Sequence, residues 1–515
     1  MDSNLMDKEV LCVLTTRRIQ HYIFFNNSFI DTFGGSLIIS NILNDGIRFA
    51  LSHIDTPLQP EEYDLSNDPD APIPYFDDKN VKVQQIFCTA GNALLIIRNG
   101  ALAQKIIRKI SRYYLDNAYS LNMMAAVVEK TNNMGNDVSR LYQKLDQIKA
   151  TAYTLEPMGA LPVTMREEKT GMPVIAFDKE RGDYISRESQ LRRLASRNHG
   201  DTTKLTEIHA TGHRDNKKYW AVMHLDGNNF GITINSILKD TPNYEEGIRA
   251  RRQINFNIES GYKRIVSRTM KDLENFYVAN IGRAEDFPSE FQLVNQGGDD
   301  LNYMGSVRMI FPFLKFFYKH VDGEFMWNTP QLKIPFYICA GLAFVTTDYD
   351  FHSAYRLAEE CCKSAKIEAK KKHNLRNGLA GNWIDYQISD NPHAQRLSLL
   401  RDKIYTTDAG LRLCLRPYCL DKESEDKTHS CRKFLQRVKN VRQLPHSVRK
   451  TEIMRWLYGM EKHEFSHWVG FQKEKGVDFK AWLGEPLYRD IYGTNYATWF
   501  DAAELADFLP SEMGD

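Results

Sequence analysis

The sequence has no apolar run approaching the ~18 residues that a membrane span requires, so nothing in it reads as a membrane helix. It also lacks a basic, apolar leader. The opening residues, MDSNLMDKEV, carry none of the features of a secretory signal. Cysteine is sparse, 8 in 515 residues. That excludes a disulfide-built scaffold and fits a reducing, cytoplasmic setting. Cys12, Cys88, Cys339, Cys361 and Cys362 sit in apolar surroundings and read as small buried hydrophobes. Net charge is nearly absent too: 67 Lys+Arg stand against 66 Asp+Glu, a formal +1. Bulk positive charge therefore cannot hold nucleic acid, although a local basic surface stays open. What is present is an ordinary folded composition, 42% hydrophobic and 26% charged, which excludes a wholly disordered chain. At roughly 100–200 residues per domain, the length suggests three or four domains.

The pattern along the chain predicts one arrangement of elements twice. Residues 9–16 (EVLCVLTT) read as a short buried strand. An amphipathic stretch with Ile19, Tyr22, Ile23 and Phe29 follows, and Gly34-Gly35-Ser36 is expected to open a helix through about Ala50. The segment 55–80 holds five prolines and eight acids against one lysine, and reads as a loop too polar and broken to join a core. QQIFCT and ALLIIR flank Ala90-Gly91-Asn92, a hairpin signal. A helix over about 100–117, a strand over about 121–129 and a helix over about 137–150 complete the set. The order β-α-β-β-α-β with a trailing helix is ferredoxin-like.

Residues 155–217 form a polar connector, in which Arg187, Arg192, Arg193 and Arg197 make a basic cluster. A solvated surface is the plain reading and a nucleic-acid contact the alternative. The same order then recurs. Tyr219–Leu225 (YWAVMHL) is a buried strand, and helices fill about 231–280. FQLVNQ and LNYMGS flank Gly297-Gly298-Asp299-Asp300, and a helix covers about 306–321. PFYICAGLAFV reads as a strand, FHSAYRLAEECCKSAKIEAKKK as a helix, and WIDYQIS as an edge strand. The two copies start roughly 200 residues apart. The expected fold is α+β: a first palm-like domain over 1–154, the connector over 155–217, a second palm over 218–392 and a helical region over 393–515. In that last region Trp456, Trp468, Trp482 and Trp499 read as packing residues.

The second copy places carboxylates where chemistry needs them. Asp226 ends its first strand, within His224-Leu225-Asp226-Gly227-Asn228-Asn229-Phe230-Gly231, while Asp299 and Asp300 sit at the hairpin tip. In a ferredoxin-like sheet these two elements are neighbours. Acids sharing Mg²⁺ ions about 4 Å apart suit attack of a hydroxyl on an α-phosphate. Such hard ions take carboxylates and substrate phosphates and need few protein ligands. Gly297 and Gly298 permit a tight turn close to a nucleotide. Gly231 at a helix start leaves N–H groups free for phosphate. The plain alternative is an acidic turn without metal. The pairing with Asp226 and the element order favour catalysis. The first copy has Thr89-Ala90-Gly91-Asn92 at its hairpin and Thr15-Thr16-Arg17 at its strand end, with no carboxylate at either place. It is expected to be non-catalytic, with Gly34-Gly35-Ser36 as either a phosphate-binding or a merely tight helix start.

The motifs AVMHLDGNNFG, QLVNQGGDDL, ICAGLAFV and AYRLAEECCKSAK lie between Tyr219 and Lys372. By them this segment resembles the catalytic palm of the large subunit of type III CRISPR effector complexes. More distantly it is similar to GGDEF diguanylate cyclases. IQHYIFFNNSFIDTFGGSLIISN, FCTAGNALLIIR, LRPYCL and WFDAAELADFL extend the resemblance over most of the chain. The resemblance implies a nucleotidyltransferase that joins ATP into cyclic oligoadenylates, messengers of antiviral defence. It implies Asp226, Asp299 and Asp300 as catalytic and metal-binding, with Gly227 also at the metal. Gly227, Asn228, Asn229, Phe230, Gly231, Gly297, Gly298 and Lys366 would contact nucleotide, and Mg²⁺ or Mn²⁺ would be the cofactor. Lys366 reads equally as a triphosphate contact and as an exposed lysine on a basic helix face.

Several features depart from the family. Asp226-Gly227-Asn228 stands where many members have Asp-Gly-Asp. The first palm starts almost at Glu9, so no HD nuclease domain is expected. The paired Cys-x-x-Cys ribbon is missing, and Cys414, Cys419, His429 and Cys431 match no standard zinc spacing, so zinc is not expected. Two other readings stay open. One is a scaffold subunit of an RNA-guided complex, with Arg249, Arg251, Arg252, Lys263, Arg264 and Arg268 facing RNA. The other is a nucleotide sensor without turnover. The partners implied are nucleoside triphosphates, and beyond them RNA or other defence proteins, with no membrane.

Overall fold

A computed structural model describes residues 3–24, 28–89, 91–152, 159–199, 212–214, 217–228, 230–239, 241, 243–297, 300–330, 332–371, 381–391, 396–408, 410–421, 429–444, 458–459, 462–476, 488–491 and 494–509. In the first copy, β1 (Val10–Arg17) leads through α1 (Ile19–Ile23) and α2 (Phe29–His53) to β2 (Tyr63–Asp64). The hairpin of β3 (Val83–Thr89) and β4 (Asn92–Ile97) follows, then α3 (Gly100–Asn117), β5 (Asn122–Glu129) and α4 (Met134–Thr151). The sheet order is β2-β3-β4-β1-β5. With β2 set aside, this is the 2-3-1-4 order of a ferredoxin-like sheet.

The middle of the chain forms a hairpin of β6 (Val174–Asp178) and β7 (Asp183–Ser186), then α5 (Arg187–His199). The second copy runs through β8 (Gly212–Arg214), β9 (Lys217–Gly227), α6 (Phe230–Lys239), α7 (Tyr244–Asn280), β10 (Phe291–Gly297), β11 (Asp300–Ser306) and α8 (Val307–Val321). It continues with β12 (Phe325–Asn328), β13 (Lys333–Pro335), β14 (Ile338–Thr346), α9 (Phe351–Ala369) and β15 (Trp383–Ser389). Beyond it lie α10 (Leu397–Ile404), β16 (Tyr418–Cys419), α11 (Cys431–Arg442), α12 (Lys462–Glu474), β17 (Tyr488–Ile491), β18 (Thr494–Ala497) and α13 (Phe500–Leu505). The second sheet runs β10-β11-β9-β14-β15-β16, again with the ferredoxin-like 2-3-1-4 core. No helix among the described residues is long and apolar enough to cross a membrane.

Several expectations need correction. Gly34-Gly35-Ser36 does not open a helix; α2 begins at Phe29 and holds the glycines inside it. A Cβ on Gly34 would lie 1.9 Å from the backbone oxygen of Arg192. The glycine therefore allows α5 to lie directly on α2, and no helix start remains there for phosphate. The 55–80 loop does join a core: Leu58, Ile73 and Tyr75 are buried and Tyr63–Asp64 pairs with β3. The connector's basic cluster is half internal: Arg187 and Arg197 are exposed, whereas Arg192 and Arg193 are buried. Arg192 and Arg193 are 1% and 2% exposed. Arg193 pairs with Asp31, Asp178 and Asp183 at 3.0, 2.7 and 2.7 Å, and the Arg192 guanidinium lies over the Tyr22 ring. Desolvated guanidinium groups persist only with such partners. WIDYQIS is not the edge, since β15 lies between β14 and β16. Of the basic residues on α7, Arg252 is buried, bonded to Asp64 and the Gln85 carbonyl. Trp499 is buried and Trp468 packs on the core; Trp456 and Trp482 lie outside the described residues.

The two copies share one of the core clusters. Val10, Cys12 and Leu14 of β1 belong to the same buried cluster as Trp220 and Val222 of β9 and Tyr355 of α9. Phe24 stacks on Tyr355 with ring centroids 3.8 Å apart. A second junction is polar: the Tyr244 hydroxyl donates to buried Asp137 at 2.6 Å. Burial pushes the Asp137 carboxyl up, but hydrogen bonds from Tyr244, Arg140 and Thr131 outweigh it and leave the group below its ordinary value.

Two outcomes follow for stability. A lowered carboxyl pKa stabilises the fold above the ordinary carboxylate pKa, and that gain is lost as pH falls through the folded value. Asp137→Asn is therefore expected to cost about 1–3 kcal/mol at pH 7, with the gap to wild type closing below about pH 4, as read by urea unfolding at several pH values. A Cβ at Gly341 would lie 2.0 Å from the Ala358 carbonyl and 2.2 Å from the Cys362 nitrogen. Gly341→Val should thus lift α9 from β14 and lower stability by about 1–3 kcal/mol, visible as a reduced urea midpoint with an unchanged slope.

Candidate active site

The site begins with the alternation of β9. Successive side chains on a strand face opposite ways. Tyr219, Ala221, Met223 and Leu225 enter the core formed with α7 and α8. Trp220 and Val222 enter the core shared with the first copy. The second face continues as His224 and then Asp226, so it turns from apolar to polar at the strand's end. Helix α9 covers that end: Tyr355 meets the His224 ring edge-on, with centroids 5.7 Å apart, and Lys366 Nζ forms an ion pair with Asp226.

The neighbouring strand brings the second carboxylate. β11 pairs with β9 so that Asn302 stands opposite His224 and Leu301 opposite Leu225. Asp300, at the start of β11, then lies beside Asp226. A ring nitrogen of His224 and one carboxylate oxygen each from Asp226 and Asp300 lie within 4.8 Å of one another. Two carboxylates and an imidazole converging this closely form a donor set that fits a divalent cation. His224 is 4% exposed, and Asp226 is partly open to solvent. Burial holds the His224 imidazole below its ordinary pKa, against the opposing pull of Asn302 and the Asp226 charge. Burial also disfavours charge on Lys366, but the attraction of Asp226 outweighs it and raises the ammonium's pKa.

The first copy reaches this centre through Gln20. Gln20, on α1, donates from Nε2 to Asp300 Oδ2 at 3.1 Å. At its own corresponding strand end the polar groups are spent on one another: Thr15 donates to Asn92 Oδ1 at 2.8 Å, and Thr16 shares a hydrogen bond with Tyr114.

The remaining candidates separate. Gly227 continues β9, pairing with Ile338, and is buried. Asn228 is turned into the protein, its Nδ2 bonded to the Gly381 carbonyl at 3.2 Å and to Cys339 Sγ at 3.4 Å. A carboxylate there would face a carbonyl oxygen, so the Asn suits its surroundings better than the Asp of the resembled motif. Phe230 is a core residue packed against Tyr262 and Phe336. Gly231 lies in the first turn of α6 with nothing within 4 Å of an added Cβ, which leaves room beside that helix start. Gly297 pairs with Asp300, and Gly298, Asp299 and Asn229 lie outside the described residues. Lys366 is no exposed helix lysine: its side chain is 17% exposed and held by Asp226.

Sequence reasoning missed His224, Asn302 and Gln20. His224 had a usable signal, since it stands two residues before Asp226 and must share its strand face. Gln20 had none, because it arrives from 280 residues away.

Residues 219–380 match the family model described as Cas10/Cmr2, second palm domain. No curated protein matches the chain. Among solved structures, Csm1 in T. onnurineus is similar at 15% identity, with 98% of this chain and 69% of that one covered and a TM-score of 0.46. The apo Csm1–Csm4 cassette is similar at 14% identity, with 99% and 71% covered and a TM-score of 0.45. The Csm1–Csm4 cassette in complex with cA3 is similar at 14% identity, with 70% of this chain covered and a TM-score of 0.40; there this chain spans 53% of the other's length. Matched over 219–380 and folded as the second of two ferredoxin-like sheets, this segment is a Cas10-like palm, similar to the Cas10/Cmr2 second palm domain.

Proposed function

We propose that this chain joins nucleoside triphosphates, ATP foremost, into a cyclic nucleotide or short cyclic oligonucleotide that signals in antiviral defence. The observation that carries the reading is the meeting of Asp226 and Asp300 at adjoining strand ends, inside the segment that matches the palm family. On this reading the first palm (1–154) is non-catalytic and the connector spans 155–217. The catalytic palm spans 218–392, and a helical region spans 393–515.

Asp226, Asp300 and Asp299 would hold Mg²⁺ or Mn²⁺. When bound, the cations lower the pKa of the attacking hydroxyl and neutralise charge on departing pyrophosphate. Lys366 keeps its charge in this half-buried place because of Asp226. With Asp226 committed to a cation, Lys366 would be available to a phosphate. The open first turn of α6 at Gly231 offers backbone N–H groups to the same anion. Gln20 fixes Asp300 from the first palm, which makes that palm part of the site even without carboxylates of its own.

With ATP, GTP and Mn²⁺, the full chain is expected to yield a product separable by chromatography. Asp226→Asn and Asp299→Ala should each cut its formation by at least ~100-fold, the scale of losing one transition-state electrostatic group. No product with any nucleotide, with RNA present or absent, would overturn the reading; retained binding without turnover would then mark a sensor, and co-purifying guide RNA a scaffold. Lys366→Met gives a second check. It should tighten Mn²⁺ binding about 5-fold, since the cation no longer displaces a partly exposed pair worth ~1 kcal/mol, while weakening triphosphate binding. Calorimetry with Mn²⁺ alone and with ATP measures both.

A further inference from the structure

We infer that His224 is a nitrogen ligand of the metal centre, and that it biases this site towards Mn²⁺ or Co²⁺ over Mg²⁺. The inference rests on the metal-binding reading of Asp226 and Asp300 given above, and adds to it a ligand outside the carboxylate set.

Three observations carry it. First, strand alternation aims His224 and Asp226 to the same side of β9, and a ring nitrogen lies within 4.8 Å of carboxylate oxygens from both Asp226 and Asp300. Second, the ring is held. Its Nδ1 lies 2.7 Å from Asn302 Oδ1 on the paired strand. An amide oxygen only accepts, so Nδ1 carries the proton and Nε2 keeps the lone pair. Among the described residues Nε2 makes no hydrogen bond. A metal-binding histidine usually donates its other ring N–H to such a partner, which fixes tautomer and orientation. Third, the Tyr355 ring packs edge-on against the imidazole, with centroids 5.7 Å apart. This leaves the imidazole little freedom to turn away from the carboxylates.

The donor chemistry sets the selectivity. Mg²⁺ takes oxygen ligands in a near-ideal octahedron and gains little from imidazole. Affinity of nitrogen-containing sites for first-row metals rises from Mn²⁺ through Fe²⁺ to Co²⁺. An Asp-Asp-His set at the end of β9 therefore favours transition metals more than an all-carboxylate set would.

Pulsed electron paramagnetic resonance on the full chain loaded with Mn²⁺ alone tests this without reading activity. A directly bound ¹⁴N nucleus is expected in wild type and absent in His224→Gln. That variant should also bind Mn²⁺ about 10-fold more weakly, with Mg²⁺ affinity changed less than about 2-fold. Wild-type protein carrying ¹⁵N-histidine should replace the ¹⁴N signal with a ¹⁵N one, which keeps the test available if His224→Gln does not fold. Bound Mn²⁺ without nitrogen coupling, or equal loss of both metals in His224→Gln, overturns the role of His224 while leaving the carboxylate site standing. Mn²⁺ that still binds Asp226→Asn at wild-type affinity overturns the underlying reading as well.

Discussion

Everything at the centre of this molecule depends on β9 being buried on both faces. One face enters the core under α7 and α8, and the other meets α9 and the first palm. A strand in that position has no freedom of register, because a slip of one residue would exchange its two faces. The same constraint fixes the chemistry. The face that begins with Trp220 and Val222 must end with His224 and Asp226, so these two side chains are aimed by the burial of the residues before them.

The elements around β9 are held by close approach and by paired charge. Gly341 lets the backbone of α9 settle on β14, which sets the height of Lys366 over Asp226. Gly34 does the same for α5 on α2, and Arg193 locks that contact with three carboxylates. The Arg192 guanidinium stacked on Tyr22 braces α1, the short helix from which Gln20 reaches Asp300. A segment that looks like a polar connector thus supports the side of the fold that carries Asp226 and Asp300. The charge of Arg192 and Arg193 is internal, while Arg187 and Arg197 stay at the surface.

Much of the fold was legible because periodicity reports burial directly. The two β-α-β-β-α-β orders, the hairpins and the long helices all stand near where the pattern placed them, with boundaries shifted by a few residues. The misreadings share one cause. Gly34-Gly35-Ser36, the acidic 55–80 segment and the pair Arg192 and Arg193 were read by local composition, and each is decided by a partner that local composition does not show. Glycine usually interrupts a helix, but here a crossing backbone requires it inside one. Arginine usually faces water, but buried aspartates hold it inside.

The sequence by itself determined the palm architecture, the two strand ends carrying Asp226 and Asp300, and the absence of such acids in the first copy. These follow from alternation and from which residue types fill the strand ends. Only the tertiary structure decided what surrounds those acids: His224 with its Asn302 partner, Lys366 on Asp226, Asn228 turned inward and Gln20 arriving from the other palm. Each of these depends on strand pairing or helix packing between residues far apart in the chain, and no local pattern encodes which side chains such packing brings together.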